Sequence, residues 1–401
     1  MTSSALHAGM PADILEHDAQ MRALRHAIHA HPELAYEEFR TSDLVAQKLS
    51  EWGYEVTRGI GGTGVVGTLT AGSGRRSLGL RADMDALPIE EATGKPYASK
   101  VAGKMHACGH DGHTVTLLAA ARHIATTRNF DGRLHLIFQP AEEGQDGARA
   151  MIEDGLFERF PCDAVFAYHN MPGFPVGKFG FCPGPTLASS DTVVIKIHGK
   201  GGHGSAPHLT VDPVLVASHL VVALQTIVSR NVDPRRMAVV TVGAIHGGEA
   251  PNVIPDSVEM RLSVRAFLPE VREQLRERIK ALVTSQAGVF GATVEIDYRW
   301  RYPPLINDAA MTELARDVAL RSFGAAAVLP ELEPLTGSED FSYMLEQCPG
   351  SYFLIGNGDG AGGCSIHNPH YDFNDEILPI GAAYWARLVE HFLARTDGEA
   401  A

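Results

Sequence analysis

Long apolar runs, a basic amino-terminal segment and an excess of positive charge are all missing from this 401-residue sequence. No stretch reaches ~18 uninterrupted apolar residues, so we expect no membrane-spanning helix. The opening residues, MTSSALHAGMPADILEHDAQ, lack a basic start followed by an apolar run, so no secretory signal is predicted. The formal net charge of −14 argues against a surface that binds nucleic acid or anionic membranes.

Cysteine is also scarce, with five residues in the whole chain. An odd number of cysteines in a long chain without a signal does not resemble a disulfide framework. We therefore expect free thiols and a cytoplasmic protein.

The sequence does contain the composition of a globular protein, with 45% hydrophobic and 20% charged residues. Because 401 residues exceed what one ordinary core accommodates, we expect two structural units. Four short apolar runs, each followed by polar or acidic residues, have the length of strands; they lie at 77–80, 133–138, 163–168 and 351–356. Helical patterns at 114–127 and 147–156 alternate with them, which predicts an α/β fold with a mixed, mostly parallel sheet flanked by helices. Ligands of such sheets bind beyond the carboxyl ends of the strands, where the acids and histidines of this chain are found.

The middle of the chain has a different pattern. Strands are predicted at 192–201, 237–245, 257–267 and 292–300, with helices at 211–230 and 269–286. The order β-α-β-β-α-β is typical of a ferredoxin-like α+β domain. We therefore predict an inserted domain over residues 188–301, interrupting a catalytic domain formed by residues 1–187 and 302–401.

The stretch MHACGHDGH concentrates candidate metal ligands. Cys108 and His110 are separated by one glycine just before a helix that is predicted to start at about Asp111. Thiolate and imidazole are natural ligands of zinc-like metals, although a buried cysteine beside hydrogen-bonded histidines is the alternative. His106 and His113 are expected to support the turn and the helix rather than to bind metal.

Two acidic motifs also follow strands. In PAEEG, Glu142 and Glu143 point in different directions, so one can bind metal while the other acts as a general base; a solvated loop is an equally good interpretation. In RADMD, Asp83 and Asp85 can orient a metal-binding histidine or form an Asx turn before a proline.

Further candidates are weaker when taken alone. His169 and His367 follow strands and would complete the ligands of two bridged metals. His203 lies in the glycine-rich turn KGGHGSAPH, where an imidazole can stabilise an oxyanion or simply cap a turn. Strand periodicity places Arg261, Ser263 and Arg265 on one face, which can clamp a carboxylate or be solvated.

Eight motifs together resemble a known family over nearly the whole chain: HPELAYEE (31–38), RADMDALPI (81–89), MHACGHDGHT (105–114), PAEEG (140–144), GKGGHGSAPH (199–208), PNVIP (251–255), TGSEDF (336–341) and HNPHYDFND (367–375). In this order they resemble the metal-dependent amidohydrolases that include hippurate hydrolase, bacterial N-acyl-amino-acid deacylases and plant auxin-conjugate hydrolases. These are relatives of aminoacylase and of the glutamate-releasing carboxypeptidases.

The resemblance implies a binuclear metal site in the catalytic domain and an inserted lid domain that also mediates dimerisation. Cys108 would bridge two divalent metals, with zinc or manganese expected and cobalt or nickel as alternatives; the other implied ligands are His110, Glu143, His169 and His367. Glu142 would be the general base, and His203 would stabilise the oxyanion, reaching the site of a partner subunit. Asp85 would orient a ligand, and Asn252 and Arg265 would contact the carboxylate end of the substrate. Distant relatives have a histidine ligand in place of Asp83, so the role of Asp83 stays open.

The implied reaction is hydrolysis of the amide bond of N-acyl-L-amino acids, hippurate-like or with other aryl or acyl groups. A dipeptidase or carboxypeptidase with the same site is the alternative within enzymes. A non-catalytic metal- or ligand-binding protein is a third hypothesis, disfavoured because binding needs neither Glu142 nor His203. The expected partners are a small-molecule substrate and a second copy of the chain, in a homodimer or higher homo-oligomer, without nucleic acid or membrane.

Overall fold

The computed structural model describes residues 10–330, 332–358 and 364–395. Part of the amino-terminal segment for which no signal is predicted, and part of the glycine-rich loop before His367, lie outside these residues. The chain divides into two compact units. The first comprises Met1–Gly184, Asn307–Glu333 and Tyr343–Ala401, and the second comprises Pro185–Ile306 and Pro334–Ser342.

A seven-stranded mixed sheet forms the centre of the first unit. Its strands are β1 (Glu55–Ile60), β2 (Gly64–Ala71), β3 (Ser77–Asp83), β4 (Gly132–Gln139), β5 (Ala164–Pro172), β6 (Phe179–Gly180) and β15 (Gly350–Gly358). They are ordered β1-β2-β4-β3-β5-β15-β6. The central strands β4, β3, β5 and β15 are parallel, whereas β1, β2 and β6 pair antiparallel. The central strands are buried on both faces, which explains their nearly continuous apolar sequences.

Helices cover this sheet: α1 (Ala12–Glu16), α2 (Asp18–His29), α3 (Phe39–Glu51), α4 (His110–Thr127), α5 (Gly147–Glu153), α6 (Leu156–Arg159), α9 (Ala309–Phe323) and α11 (Leu378–Phe392). The short helix α10 (Phe341–Leu345) lies where the chain passes back into the first unit. Helix α4 is buried over most of its length because it packs against β3, α2 and α11 at once. That position explains why its sequence is apolar or small on nearly every side rather than on one stripe.

The second unit contains a four-stranded antiparallel sheet with two helices. Its elements are β8 (Asp191–His198), α7 (Pro213–Asn231), β10 (Ala238–His246), β12 (Ser257–Ala266), α8 (Pro269–Val289) and β13 (Thr293–Arg299). The strand order is β10-β12-β8-β13, which is the ferredoxin-like arrangement of a β-α-β-β-α-β chain. Two short strand pairs are also present: β9 (Gly202–His203) with β11 (Val253–Ile254), and β7 (Gly184–Leu187) with β14 (Leu305–Asn307).

Helix α7 is long and apolar. The Asp212 side chain caps its first turn by accepting from the amides of Val214 and Leu215. One face, including Leu220 and Leu224, is buried in the core of the second unit. Within the described residues α7 is the one helix that is long and apolar enough to cross a membrane, a test that core helices also pass.

The predicted mixed α/β fold with flanking helices is confirmed, with its parallel strands at the centre of the sheet. Several element boundaries differ from those predicted, and two of them have a local cause in glycine. The helix expected over 147–156 ends at Glu153, because Gly155 adopts a left-handed conformation with φ of 84° before α6 begins. The strand expected over 192–201 ends at His198, before a run of glycines.

Candidate metal centre

Three loops and one strand of the first unit bring the predicted metal ligands together. Cys108 and His110 lie at the start of α4, and Glu143 follows β4. His169 lies inside β5, which continues three residues beyond it rather than ending there. His367 follows β15 and has a left-handed backbone, with its amide donating to the carbonyl of Ala107 at 2.7 Å.

Gly109 allows the cysteine and the histidine beside it to face one cavity. It precedes α4 with a φ of 101°, a conformation that residues with a side chain rarely adopt. A Cβ atom at this position would lie 2.3 Å from Asn170 Oδ1 and 2.6 Å from the Tyr371 hydroxyl. The Cys-Gly-His order is therefore required by both the turn and the packing.

The donor atoms form two groups that share Cys108. Cys108, His110 and His169 form one group, and Cys108, Glu143 and His367 form the other, with donor atoms within 4.8 Å of one another in each. Cys108 Sγ lies 3.2 Å from His169 Nε2. Glu143 Oε1 lies 3.2 Å from His367 Nε2 and 3.9 Å from His110 Nε2. A thiolate common to two ligand groups is the arrangement that a bridging ligand needs.

Two of these donor atoms are buried without a hydrogen-bond partner: His110 Nε2 and Glu143 Oε1. Buried polar atoms are normally satisfied, because leaving one without a partner costs about 1–3 kcal/mol. Thiolate, imidazole and carboxylate are all ligands of divalent transition metals. The residues present therefore fit two divalent metal ions.

Neighbouring acceptors hold the imidazoles in the orientation that metal binding requires. His110 Nδ1 donates to the carbonyl oxygen of Asp85 at 2.9 Å and lies 3.2 Å from its Oδ1. His169 Nδ1 donates to the carbonyl of Asn170 at 2.6 Å. With the Nδ1 proton held by these acceptors, Nε2 of each ring is the atom left to bind a metal.

Asp85 has a second contact, because its Oδ2 accepts the amide of Glu143 at 2.9 Å. One carboxylate thus anchors a histidine and the loop that carries a glutamate. The alternative of an Asx turn is wrong for this residue, because the amide of Leu87 donates instead to the carbonyl of Met105 at 2.9 Å.

Asp83, His106 and His113 surround the donor groups. The Asp83 carboxylate is buried and accepts from Arg81 Nη1 at 2.7 Å and from His113 Nδ1 at 2.6 Å. His113 Nε2 lies 2.7 Å from Asn170 Oδ1, so the pair is engaged in a network behind the ligands. Burial lowers the pKa of His106 to about 4, so its ring is neutral.

The electrostatics of the cavity favour a cation. Burial, followed by the carboxylates of Glu143 and Glu142, raises the pKa of the Cys108 thiol well above its usual range. Burial alone would lower the pKa of His110, but Asp83 and Asp85 raise it to about 10. A thiolate at this position therefore requires a positive charge beside it, and metal ions supply that charge.

Glu142 lies beside the predicted ligands with only 7% of its surface exposed. Its carboxylate, the His110 ring and the Glu143 carboxylate place oxygen or nitrogen atoms within 4.8 Å of one another. A carboxylate at the edge of a metal-ligand cluster can accept a proton from water in the cavity.

The other three predicted site residues belong to the second unit. His203 is exposed in β9, and the amide of Ser205 donates to its Nδ1 at 3.1 Å, which leaves the ring proton on Nε2. The carbonyl of Asn252 accepts the amide of Gly204 at 2.8 Å, so Asn252 lies beside this turn. Arg265 donates to the carbonyl of Thr336 at 2.9 Å.

Sequence reasoning missed three residues that support the centre: Glu38, Asn170 and Tyr371. The Asn170 side-chain amide donates to the Tyr371 hydroxyl, and Glu38 accepts the amide of Ala141 at 2.8 Å. Asn170 follows a predicted ligand and Tyr371 belongs to the motif of another. Glu38 is the last residue of the motif HPELAYEE. These positions were the available signals, because the contacts themselves join residues distant in the sequence.

Residues 79–391 match the description "Peptidase family M20/M25/M40". The chain belongs to this family. It is 46% identical to hippurate hydrolase of Campylobacter jejuni over 95% of this chain and 98% of that protein. It is 42% identical to N-acetyl-L-cysteine deacetylase of Bacillus subtilis, over 94% and 88%. It is 38% identical to thermostable carboxypeptidase 1 of Saccharolobus solfataricus, over 95% and 97%.

A solved structure from Bacillus subtilis, described as a dinuclear metal binding peptidase from the M20 family, superposes with a TM-score of 0.83. It is 32% identical and covers 94% of this chain and 99% of that one. The predicted membership of this hydrolase family is confirmed. The chain is a metal-dependent hydrolase with a site for two divalent metal ions.

Proposed function

We propose that this M20 hydrolase cleaves the amide bond of N-acyl-L-amino acids, releasing a carboxylic acid and an amino acid. The observation that carries the proposal is the pair of ligand groups that share Cys108, with the Glu142 carboxylate beside them. The names of the relatives from Campylobacter and Bacillus support this substrate class.

In the proposed mechanism, two divalent metal ions held at this site would supply Lewis acidity for the acyl carbonyl and for water in the cavity. The ligands are Cys108, His110, Glu143, His169 and His367. Glu142 accepts a proton from the attacking water and then delivers it to the departing amine, so the same carboxylate acts as base and acid. Its low exposure keeps this proton away from bulk solvent.

His203 is proposed to donate its Nε2–H to the developing oxyanion. The tautomer supports this role, since the amide of Ser205 occupies Nδ1. In the proposed homodimer this histidine acts on the site of the partner subunit. Asn252 and Arg265 are proposed to hold the carboxylate of the substrate, for which amide and guanidinium donors are suited.

Zinc or manganese is the proposed metal, with cobalt or nickel as alternatives that the same donors accept. Dimerisation through the inserted domain, proposed as residues 188–301, is supported by exposed apolar residues of α7, of which Val222 is 71% exposed. Light scattering of the purified protein measures the oligomeric state. All five cysteines are free thiols, which supports a cytoplasmic location.

A carboxypeptidase or dipeptidase activity is the second candidate, supported by the relative named thermostable carboxypeptidase 1. Both reactions use the same base and ligands. They differ in the acyl part of the substrate, which comes from a simple carboxylic acid in an N-acyl-amino acid and from an amino acid in a peptide. Comparing turnover of the two kinds of substrate therefore distinguishes the two activities.

The test is turnover of N-acyl-amino acids and dipeptides by the protein loaded with each metal in turn, in wild type and in Glu142→Gln. We expect turnover of the acylated series by wild type and a loss of at least about 10²-fold in kcat for Glu142→Gln, with both metals retained. The exposed Glu153 of α5, paired with Arg149 at 2.7 Å, provides a matched control in Glu153→Gln. Unchanged turnover in Glu142→Gln would refute the base, and wild type that cleaves none of the acylated series would refute the substrate class.

A further inference from the structure

The segment Glu33–Glu38, from the motif HPELAYEE, contacts the two loops of the metal centre that carry Asp85 and Glu142. The carbonyl of Glu33 accepts the amide of Ala86 at 2.8 Å, and Leu34 forms a β-bridge with the same residue, next to Asp85. The Tyr36 hydroxyl donates to the carbonyl of Gln145 at 2.8 Å. This motif therefore contacts the metal-site loops although none of its residues has a role in the proposed mechanism.

Glu38 makes the contact nearest to the proposed base. Its carboxylate is fully buried, with Oε2 accepting from the Thr63 hydroxyl at 2.5 Å. Oε1 accepts the backbone amide of Ala141 at 2.8 Å. The residue also precedes α3, and the amide of Ser42 donates to its carbonyl at 2.9 Å. Its main chain is thus held by a helix while its side chain reaches the loop.

The loop that carries Glu142 contains a residue with an unfavourable backbone conformation, so hydrogen bonds are needed to hold it. Ala141 has a φ of 54°, a left-handed conformation that costs a residue with a Cβ about 1–2 kcal/mol. On the other side of Glu142, the amide of Glu143 is held by Asp85. The amides immediately before and after the proposed base therefore each donate to a carboxylate from a distant part of the chain.

We propose that Glu38 is a positioning residue that sets the backbone conformation at Ala141 and thereby aims the carboxylate of Glu142. This rests on the proposed function, in which Glu142 is the base. For this role, residue 38 needs a side chain long enough to place a hydrogen-bond acceptor at the amide of Ala141, and it does not need a negative charge.

The surroundings of Glu38 agree with such a role. Burial raises its pKa to about 7, with the nearby Asp85 carboxylate contributing in the same direction and the Thr63 hydroxyl opposing it. A glutamine has the same length and an amide oxygen that can accept from Ala141, while the Thr63 hydroxyl can accept from its NH₂ group. An aspartate keeps the charge but is one methylene too short to make the contact.

The experiment compares Glu38→Gln, Glu38→Asp and Glu38→Ala in the full-length, metal-loaded protein. We expect Glu38→Gln to retain kcat within about threefold of wild type, and the other two to lose about 10- to 100-fold in kcat with little change in KM. The acid limb of the pH profile of Glu38→Gln should match that of wild type. Glu37→Gln is the matched control, because Glu37 is exposed and pairs with Lys104 at 2.7 Å.

A higher kcat for Glu38→Asp than for Glu38→Gln would overturn the proposal, since charge would then matter more than reach. This ranking also decides the matter if Glu38→Ala does not fold. A second readout is the affinity for zinc, measured by chelator competition. It is informative because Glu143, a proposed ligand, lies two residues beyond Ala141. We expect Glu38→Asp to bind zinc about 3- to 10-fold more weakly than Glu38→Gln. If wild type hydrolyses no acylated amino acid, the proposed function fails while the zinc ranking still tests Glu38, and equal affinities would then contradict its role.

Discussion

Cys108 is the residue on which both ligand groups depend. Because it belongs to each group, replacing it should disturb both metal positions and not one alone. We expect Cys108→Ala to lose bound metal and turnover together, as should oxidation or alkylation of the thiol. Metal analysis and kcat measured on the same preparation provide the check.

Cys162→Ala is the control for this prediction, since Cys162 is a free thiol outside the metal-ligand groups, with its Sγ near the carbonyl of Phe160 at 3.4 Å. It should retain metal and activity. Full activity after modification of Cys108 would show that this residue does not bridge the metals.

At the scale of single residues, the sequence indicated the candidate metal-binding side chains better than the residues that hold them in place. Cys108 and His110 are two positions apart, so a local turn was enough to suggest their convergence. Glu38 reaches Ala141 across 103 positions, and no periodicity or spacing could indicate that contact. Asp83 also needed the structure, because its neighbours Arg81 and His113 show it engaged in a network behind the ligands.

At the scale of elements, α2 is joined to the start of α4 by buried charges. Arg25 Nη1 lies 3.2 Å from Asp111 Oδ2, and His29 Nδ1 lies 2.8 Å from the same carboxylate. His29 Nε2 also approaches Glu91 at 3.3 Å. The helix that begins with His110 is therefore held from the amino-terminal part of the chain.

This junction predicts a pH dependence of stability. Burial alone would lower the pKa of His29, but Asp111 and Glu91 raise it to about 9, above the value near 6.5 of an unfolded chain. The protonated ring therefore stabilises the fold fully below pH ~6.5, and this contribution is lost as pH rises through about 9. We expect His29→Gln to reduce the free energy of unfolding by about 1–3 kcal/mol at pH 6.5, and by less at pH 10.

Denaturant titrations at the two pH values test this prediction. His31→Gln is the control, because His31, which follows α2, donates to the carbonyl of Ala27 and has no carboxylate partner among the described residues. A deficit in His29→Gln that grows from pH 6.5 to pH 10 would contradict the proposed protonation.

The elements that could be predicted were those with strong patterns. The central parallel strands are continuous apolar runs, and the strands of the second unit alternate clearly, as in β12. Edge strands such as β1 and β6 were not predicted, because β1 is largely exposed and β6 has two residues. The split between α5 and α6 depends on one glycine in a left-handed conformation, which helical periodicity does not indicate.

At the scale of the whole molecule, each unit has its own core, and that of the second unit includes a buried ion pair. Asp191 in β8 accepts from Arg272 Nε at 2.9 Å and from its Nη2 at 2.6 Å. The amide of Arg301 also donates to Asp191 Oδ1 at 3.0 Å. A strand, a helix and the chain after β13 thus meet at one carboxylate.

We expect Asp191→Ala to lower the free energy of unfolding of the second unit by about 3–5 kcal/mol, because a buried guanidinium loses its partner. Calorimetry measures the effect. Asp233→Asn, which changes the partner of the exposed Arg235, is the control and should leave the transition unchanged. Equal transitions in the two variants would show that the buried pair contributes nothing to the second unit.

The left-handed backbone conformation of Ala141 affects how this enzyme can be engineered for stability. Glycine accommodates such a conformation without strain, so a search for thermostable variants would favour Ala141→Gly. The same change lets the loop leave the conformation that aims Glu142. Selection for heat resistance at this position would therefore work against turnover, and libraries made for stability should keep alanine there.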